Sequence, residues 1–195
     1  VYKRQYDSLS EFSFHFSGPL MMVYWLRDLK FDYIELAILI NVSQVLGLFS
    51  MRYWGKRIDN NGSYSTIRFT SFCIGVFPMF WVGIYYLPNE LILAGSIIIA
   101  SLASLMFSGR ALALDNRLYE HMKNKKMIKV TSQRFFFRGL SIFIGGLIGG
   151  LLTRNESNFS NYIELDTVIH AVMGFSTVLR LGVWSYFLID KRSEI

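Results

Sequence analysis

A single cysteine, Cys73, occurs in the 195 residues. That excludes a disulfide scaffold and any cysteine-based zinc site. Proline is scarce at 3 and glycine stands at 15, so neither a disordered Pro-rich chain nor a collagen-like repeat fits. Charge is thin as well: 17% of residues are Asp, Glu, Lys or Arg, against about 25% in an ordinary soluble domain. Within the apolar stretches there is no Ser/His pair, no His-x-x-x-His and no carboxylate dyad, so nothing points to an intramembrane enzyme. Three scattered histidines make no metal site, and no cofactor is expected. What the chain has instead is apolar bulk: 52% hydrophobic residues, with 17 Phe and 11 Tyr.

This bulk is gathered into six blocks, at about 9–26, 34–54, 67–87, 91–113, 135–153 and 165–189. Each approaches the roughly 20 apolar residues that a helix needs to cross a bilayer at 1.5 Å per residue. The blocks are apolar on every face, whereas a soluble amphipathic helix would carry a polar stripe. They also lack the period-two alternation and frequent turn signals of strands. Helices satisfy their own backbone in lipid. The expected fold is therefore an all-α membrane protein of six transmembrane helices in one domain over residues 6–195, with the lipid bilayer as its surroundings. The first block is the weakest, since it follows Asp7 and contains Glu11 and His15.

Charge gives an independent test. Fifteen of the 20 Lys and Arg lie on one set of alternate segments: the N-terminus, 52–68, 110–134 and the C-terminus. Three lie on the other set, Arg27, Lys30 and Arg154. The positive-inside rule places both termini in the cytoplasm, as an even number of spans requires. The basic residues sit at block ends rather than on one surface, so no nucleic-acid partner is expected. Trp25, Trp54, Trp81 and Trp184 fall toward block ends, as an interfacial aromatic belt requires. Val1-Tyr2-Lys3-Arg4-Gln5 is what GTG-TAT-AAG-AGA-CAG encodes, the end of a transposase sequencing adapter. Residues 1–5 are accordingly set aside as an assembly scar, and the chain is expected to be a C-terminal fragment.

After the second block comes Trp54-Gly55-Lys56-Arg57-Ile58-Asp59-Asn60-Asn61-Gly62-Ser63-Tyr64-Ser65-Thr66-Ile67. It reads as a tight basic turn, with Gly55 and Gly62 permitting close packing or positive φ and Asn60-Asn61-Gly62 as the turn signal. Gly55, Asp59 and Gly62 match in type and spacing the loop motif of the major facilitator superfamily, Gly-x-Leu-Ala-Asp-Arg-x-Gly-Arg-Arg/Lys. Arg57, Asn60 and Ser63-Tyr64 depart from it, in the manner of the copy in that family's C-terminal half. Ser17 to Leu29 resembles the first helix and outer turn of prokaryotic members. The basic segment 110–134, with Arg138-Gly139 and the Gly-rich fifth block, resembles the part that follows the fourth helix. The resemblance covers nearly the whole chain but only half of a twelve-helix transporter. It implies a major-facilitator-type bundle, a missing N-terminal six-helix half as partner, and a small-molecule substrate held between the halves. It also implies that Gly55, Asp59 and Gly62 form a conformational-switch loop.

The polar residues inside the blocks are the candidates for function. Histidine as a residue type can take up a proton at about pH 6.5, which makes His15 a candidate for substrate or proton contact, with Ser17 nearby; the family implies that the first and fourth helices line the pathway. The same implication reaches Ser101, Ser104 and Ser108, which share a helical face that would equally let another helix approach closely. Asn41 and Gln44, three apart, either touch substrate or hydrogen-bond to a neighbouring helix. Gly145, Gly146, Gly149 and Gly150 form overlapping Gly-x-x-x-Gly pairs, which serve helix packing. Asp32 and Glu35 have capping-box spacing, and Asp166 reads as a second cap. Arg138 and Arg180 are expected to snorkel toward the interfaces, and His170 to be structural. The functional expectation is a secondary active transporter of a small solute by alternating access, in the cytoplasmic membrane of a prokaryote. The alternative is a non-transport six-helix membrane scaffold or subunit.

Overall fold

The computed structural model describes residues 4–120, 127–154 and 168–189. The described residues are helical throughout, apart from short turns, and contain no strand. Helix α1 runs Arg4–Val23 and continues into a π-helical turn, Tyr24–Asp28. Helix α2 is Tyr33–Tyr85, α3 Asn89–Glu120, α4 Met127–Arg154 and α5 Val168–Ile189. Among the described residues four helices are long and apolar enough to cross a membrane: Tyr33–Tyr85, Asn89–Glu120, Ile128–Leu151 and Ile169–Leu188. They make the chain compatible with a multi-pass membrane protein. Helix α1 is not among the four, because Asp7, Glu11, His15 and its serines lower its apolarity.

The helices run past the ends of several apolar blocks. The turn expected between the second and third blocks is helical on both sides, and the helix continues well past Trp54. Only Gly62 leaves helical geometry, at φ 79° and ψ 156°, a region open to glycine and to almost nothing else. There the chain folds back. The Trp54 and Phe69 ring centroids lie 6.4 Å apart, and the Arg57 guanidinium sits 5.0 Å over the Phe69 ring. The arms 33–61 and 63–85 thus form an antiparallel pair. The basic segment 110–134 is likewise mostly helical where described, since α3 reaches Glu120 and α4 begins at Met127. Asp166 and residues 1–3 lie outside the described residues.

Helix α2 opens as its sequence prescribes. The Asp32 carboxylate accepts from the Glu35 backbone N–H at 2.7 Å, and the Glu35 carboxylate accepts from the Asp32 N–H at 2.9 Å. Two orphan donors of the first turn are satisfied reciprocally. Pro88 follows the 63–85 arm, and its carbonyl accepts from Leu91 N–H at 2.8 Å, so α3 starts within a few residues.

The chain divides into two compact units. One holds α2 and α3, the other α1, α4 and α5. In the first unit, small residues let α3 approach the 33–61 arm closely. A Cβ on Gly47 would collide with Ser104, Ser50 Oγ lies 2.7 Å from Ser108 Oγ, and the face of Trp54 rests on Gly109. The Trp54 indole N–H donates to the Leu105 carbonyl at 2.8 Å. Trp54 and Trp81 are buried, so these two belong to helix packing rather than to an aromatic belt at the surface. In lipid the hydrophobic effect does not drive helices together, so such close contacts and interhelical hydrogen bonds carry the association.

In the second unit, α1 runs parallel to α4 and antiparallel to α5. Asp7 meets Arg134, Glu11 meets Arg138, and Phe16 meets Gly149. On the other side Tyr24 meets His170, Ser17 meets Ser176, and Tyr6 meets Phe187. Phe16, Leu20 and Val172 form an apolar core between α1 and α5.

Candidate functional site

The most polar buried surface of the described residues is the face that α1 turns to α4 and α5. Helical geometry stacks residues four apart on one face. Asp7, Glu11 and His15 therefore lie in a row along α1, and Arg134 and Arg138 in a matching row along α4. The first rung is short and closed: Arg134 Nε donates to Asp7 Oδ2 at 2.6 Å, with the side chains only 7% and 2% exposed. The second is longer and open: Arg138 Nη2 lies 3.4 Å from Glu11 Oε1, with the arginine side chain 40% exposed and the glutamate 5%. His15 completes this rung. Its Nδ1 is 3.0 Å from the Glu11 carbonyl oxygen and 3.7 Å from Glu11 Oε2.

Farther along the seam the charges give way to glycine. A Cβ on Gly145 would stand 2.8 Å from the Phe12 carbonyl oxygen, and one on Gly149 would collide with that of Phe16. The two backbones meet there because neither glycine carries a side chain. Gly146 faces Pro19 at ordinary contact distance, and Gly150 faces open space. The four glycines are therefore not equivalent: Gly145 and Gly149 set the approach of α1, and Gly150 does not.

Toward α5 the seam is built from hydroxyls and one guanidinium. Ser176 Oγ lies 3.1 Å from Ser17 Oγ and 3.2 Å from the Ser13 carbonyl oxygen. Arg180 Nη2 donates to Ser17 Oγ at 2.9 Å and to the Phe14 carbonyl at 3.4 Å, with the guanidinium 5.1 Å over the Phe14 ring. Arg138 and Arg180 are expected from sequence to reach for an interface. In the structure Arg180 is engaged by the Ser17 hydroxyl and the Phe14 carbonyl of α1, and Arg138 meets the Glu11 carboxylate and stays 40% exposed.

The other sequence candidates lie in the α2–α3 unit. Asn41 is exposed and donates to the Ala37 carbonyl of its own helix at 2.7 Å, and Gln44 is exposed on the same arm. Ser104 and Ser108 face Gly47 and Ser50, and Ser101 is buried. Of the switch-loop residues, Gly55 is helical with open space beside it, Asp59 is exposed, and Gly62 makes the reversal. Just beyond it, Ser63 Oγ and Asn116 Nδ2 each donate to Glu120 Oε1 at 2.9 Å, tying the start of the second arm to the end of α3. His170 is buried edge-on to the Tyr24 ring at 5.9 Å. Among the described residues no group of His, Cys, Asp or Glu could hold a metal ion.

Sequence reasoning singled out His15 and Ser17 but missed the carboxylates and guanidiniums around them. The signal was present as Asp7-x-x-x-Glu11-x-x-x-His15 and Arg134-x-x-x-Arg138. Arg134 is assigned by segment counting to a solvated loop, whereas the structure buries it in α4. Family models, curated proteins and solved structures show no match to this chain. The resemblance to the major facilitator superfamily accordingly rests on Gly55, Asp59, Gly62 and the sequence around them.

Proposed function

We propose that this chain is the C-terminal six-helix half of a secondary transporter, which moves a small solute across a prokaryotic cytoplasmic membrane by alternating access. The supporting observation is the charged seam in the α1–α4–α5 unit, above all the open Glu11–Arg138–His15 rung. Ionisable side chains among apolar helices are costly, and where they occur they mark substrate and ion pathways. In this reading α1 and both arms of α2 cross the bilayer together with α3, α4 and α5. The N-terminal half supplies the facing wall, since one half does not enclose a pathway. The Gly62 reversal and Asp59 sit on the cytoplasmic side and bias the inward–outward equilibrium through helix-end charge contacts.

The test begins with genomic DNA upstream of Tyr6, which is expected to read on into a further six-helix half without the codons of residues 1–5. The reunited protein, reconstituted in vesicles and screened for uptake of solutes, is expected to accumulate one of them. In that protein Asp59→Asn lowers the transport rate and leaves the half-saturating concentration nearly unchanged. A large loss of affinity at normal turnover contradicts the switch role. A native start at Tyr6 favours the scaffold reading instead.

A further inference from the structure

Two rungs of one ladder, a single helical turn apart, are built differently. Arg134 is sealed against Asp7 at 2.6 Å. Arg138 meets Glu11 through one nitrogen at 3.4 Å, and its side chain is 40% exposed. A guanidinium offers five N–H donors in a planar fork, a shape that fits a carboxylate or phosphate through two parallel hydrogen bonds. The single long contact to Glu11 leaves most of that fork uncommitted. Beside it the His15 ring is 39% exposed and presents its Nδ1 edge to Glu11, so its Nε2 edge points away. A cation held this loosely within apolar helices is poised for a second anion.

We propose that Arg138 anchors an anionic group of the transported solute, a carboxylate or a phosphate, and that Glu11 is its resident counter-ion while the site is empty. The solute's oxygens take the fork of Arg138, Glu11 gives up its long contact, and His15 remains beside the Glu11 carboxylate. Arg134 takes no part because its carboxylate partner already fills its Nε edge in a buried setting. This proposal rests on the transporter reading for the word solute. The binding step itself is an equilibrium property of the full-length protein and is tested without transport.

The experiment is calorimetric titration of the full-length protein, joined to whatever the upstream DNA encodes, in phosphatidylcholine nanodiscs with succinate, inorganic phosphate and, as a neutral control, glucose. One of the two anions is expected to bind saturably, and glucose not at all. Glu11→Gln removes the competing carboxylate and tightens anion binding about ten-fold. Arg138→Gln weakens it at least ten-fold. Because Arg138→Gln strands a buried glutamate, the paired variant Glu11→Gln/Arg138→Gln serves as the folded control: it keeps its helical circular dichroism and binds neither anion.

The proposal is overturned if neither anion binds the wild type or Glu11→Gln, or if the paired variant binds as well as the wild type. It is also overturned if Arg138-dependent binding is seen only for phosphatidylglycerol added to the discs, which would assign the guanidinium to a lipid headgroup. Anion binding with no uptake in the reunited protein removes the transporter reading and leaves the site. Uptake of a neutral solute does the reverse.

Discussion

Asp7 and Arg134 are 127 positions apart in the chain, yet Arg134 Nε donates to Asp7 Oδ2 across 2.6 Å inside the α1–α4 seam. Both side chains are almost wholly buried. This pair joins the helix that opens the chain to one that begins after its midpoint. A buried pair of this kind is costly to break and much less costly to replace outright, because removing one partner leaves a charge without compensation.

Asp7→Asn is therefore expected to destabilise the α1–α4–α5 unit by about 3–5 kcal/mol, the range for a broken buried ion pair. The double variant Asp7→Asn/Arg134→Met should recover most of that loss. Thermal unfolding in detergent, followed by circular dichroism, reads both. Equal midpoints for the wild type and Asp7→Asn would show that the rung contributes nothing.

The glycine seam makes a prediction with its own control. Gly149→Ala places a methyl group against the Phe16 carbonyl and is expected to cost about 1–3 kcal/mol, as overpacking does. Gly150→Ala, with open space around it, should stay within about 0.5 kcal/mol of the wild type or gain slightly from helix propensity. If both variants melt alike, the backbone contact is not what holds α1 to α4.

At the reversal, Gly62 combines φ 79° with ψ 156°. An L-residue there is strained by about 1–3 kcal/mol, so Gly62→Ala should lower the melting midpoint. Asn61→Ala, at a helical and exposed neighbour, should leave it nearly unchanged. Separation of the two variants is the result that assigns the effect to backbone strain rather than to the local charge.

Topology is checked with thiols. Cys73 is the single native cysteine, so Cys73→Ala gives a clean background. Arg27→Cys is expected to react with an impermeant reagent added outside intact cells, and Lys56→Cys only after the membrane is opened. Reaction of both from one side would undo the alternation of spans and with it the positive-inside assignment.

The helices themselves were legible from residue type. Apolar blocks such as Leu91–Phe107 admit few other conformations, and Asp32 with Glu35 announces the start of α2 through spacing alone. The reversal was legible only in outline. Asn60-Asn61-Gly62 signals a turn, but a sequence pattern does not say that helix persists on both sides with one glycine between. The candidate site was half legible. His15 stands out as a titratable ring in an apolar stretch, while Glu11 and Arg138 read as a weak span and a snorkelling cation until they are seen together.

Local chemistry, then, decided what needs only neighbours in the chain: helix over strand, the cap at Asp32, the break at Gly62 and the flattened glycine face of α4. Tertiary structure alone decided the pairings across long stretches of chain, Asp7 with Arg134, Glu11 with Arg138 and Ser17 with Arg180. The physical reason is that spacing along one helix sets which side chains share a face, whereas the partner of that face depends on which helix packs there and in which direction. For α1 that choice turned a row of costly polar residues into a paired seam.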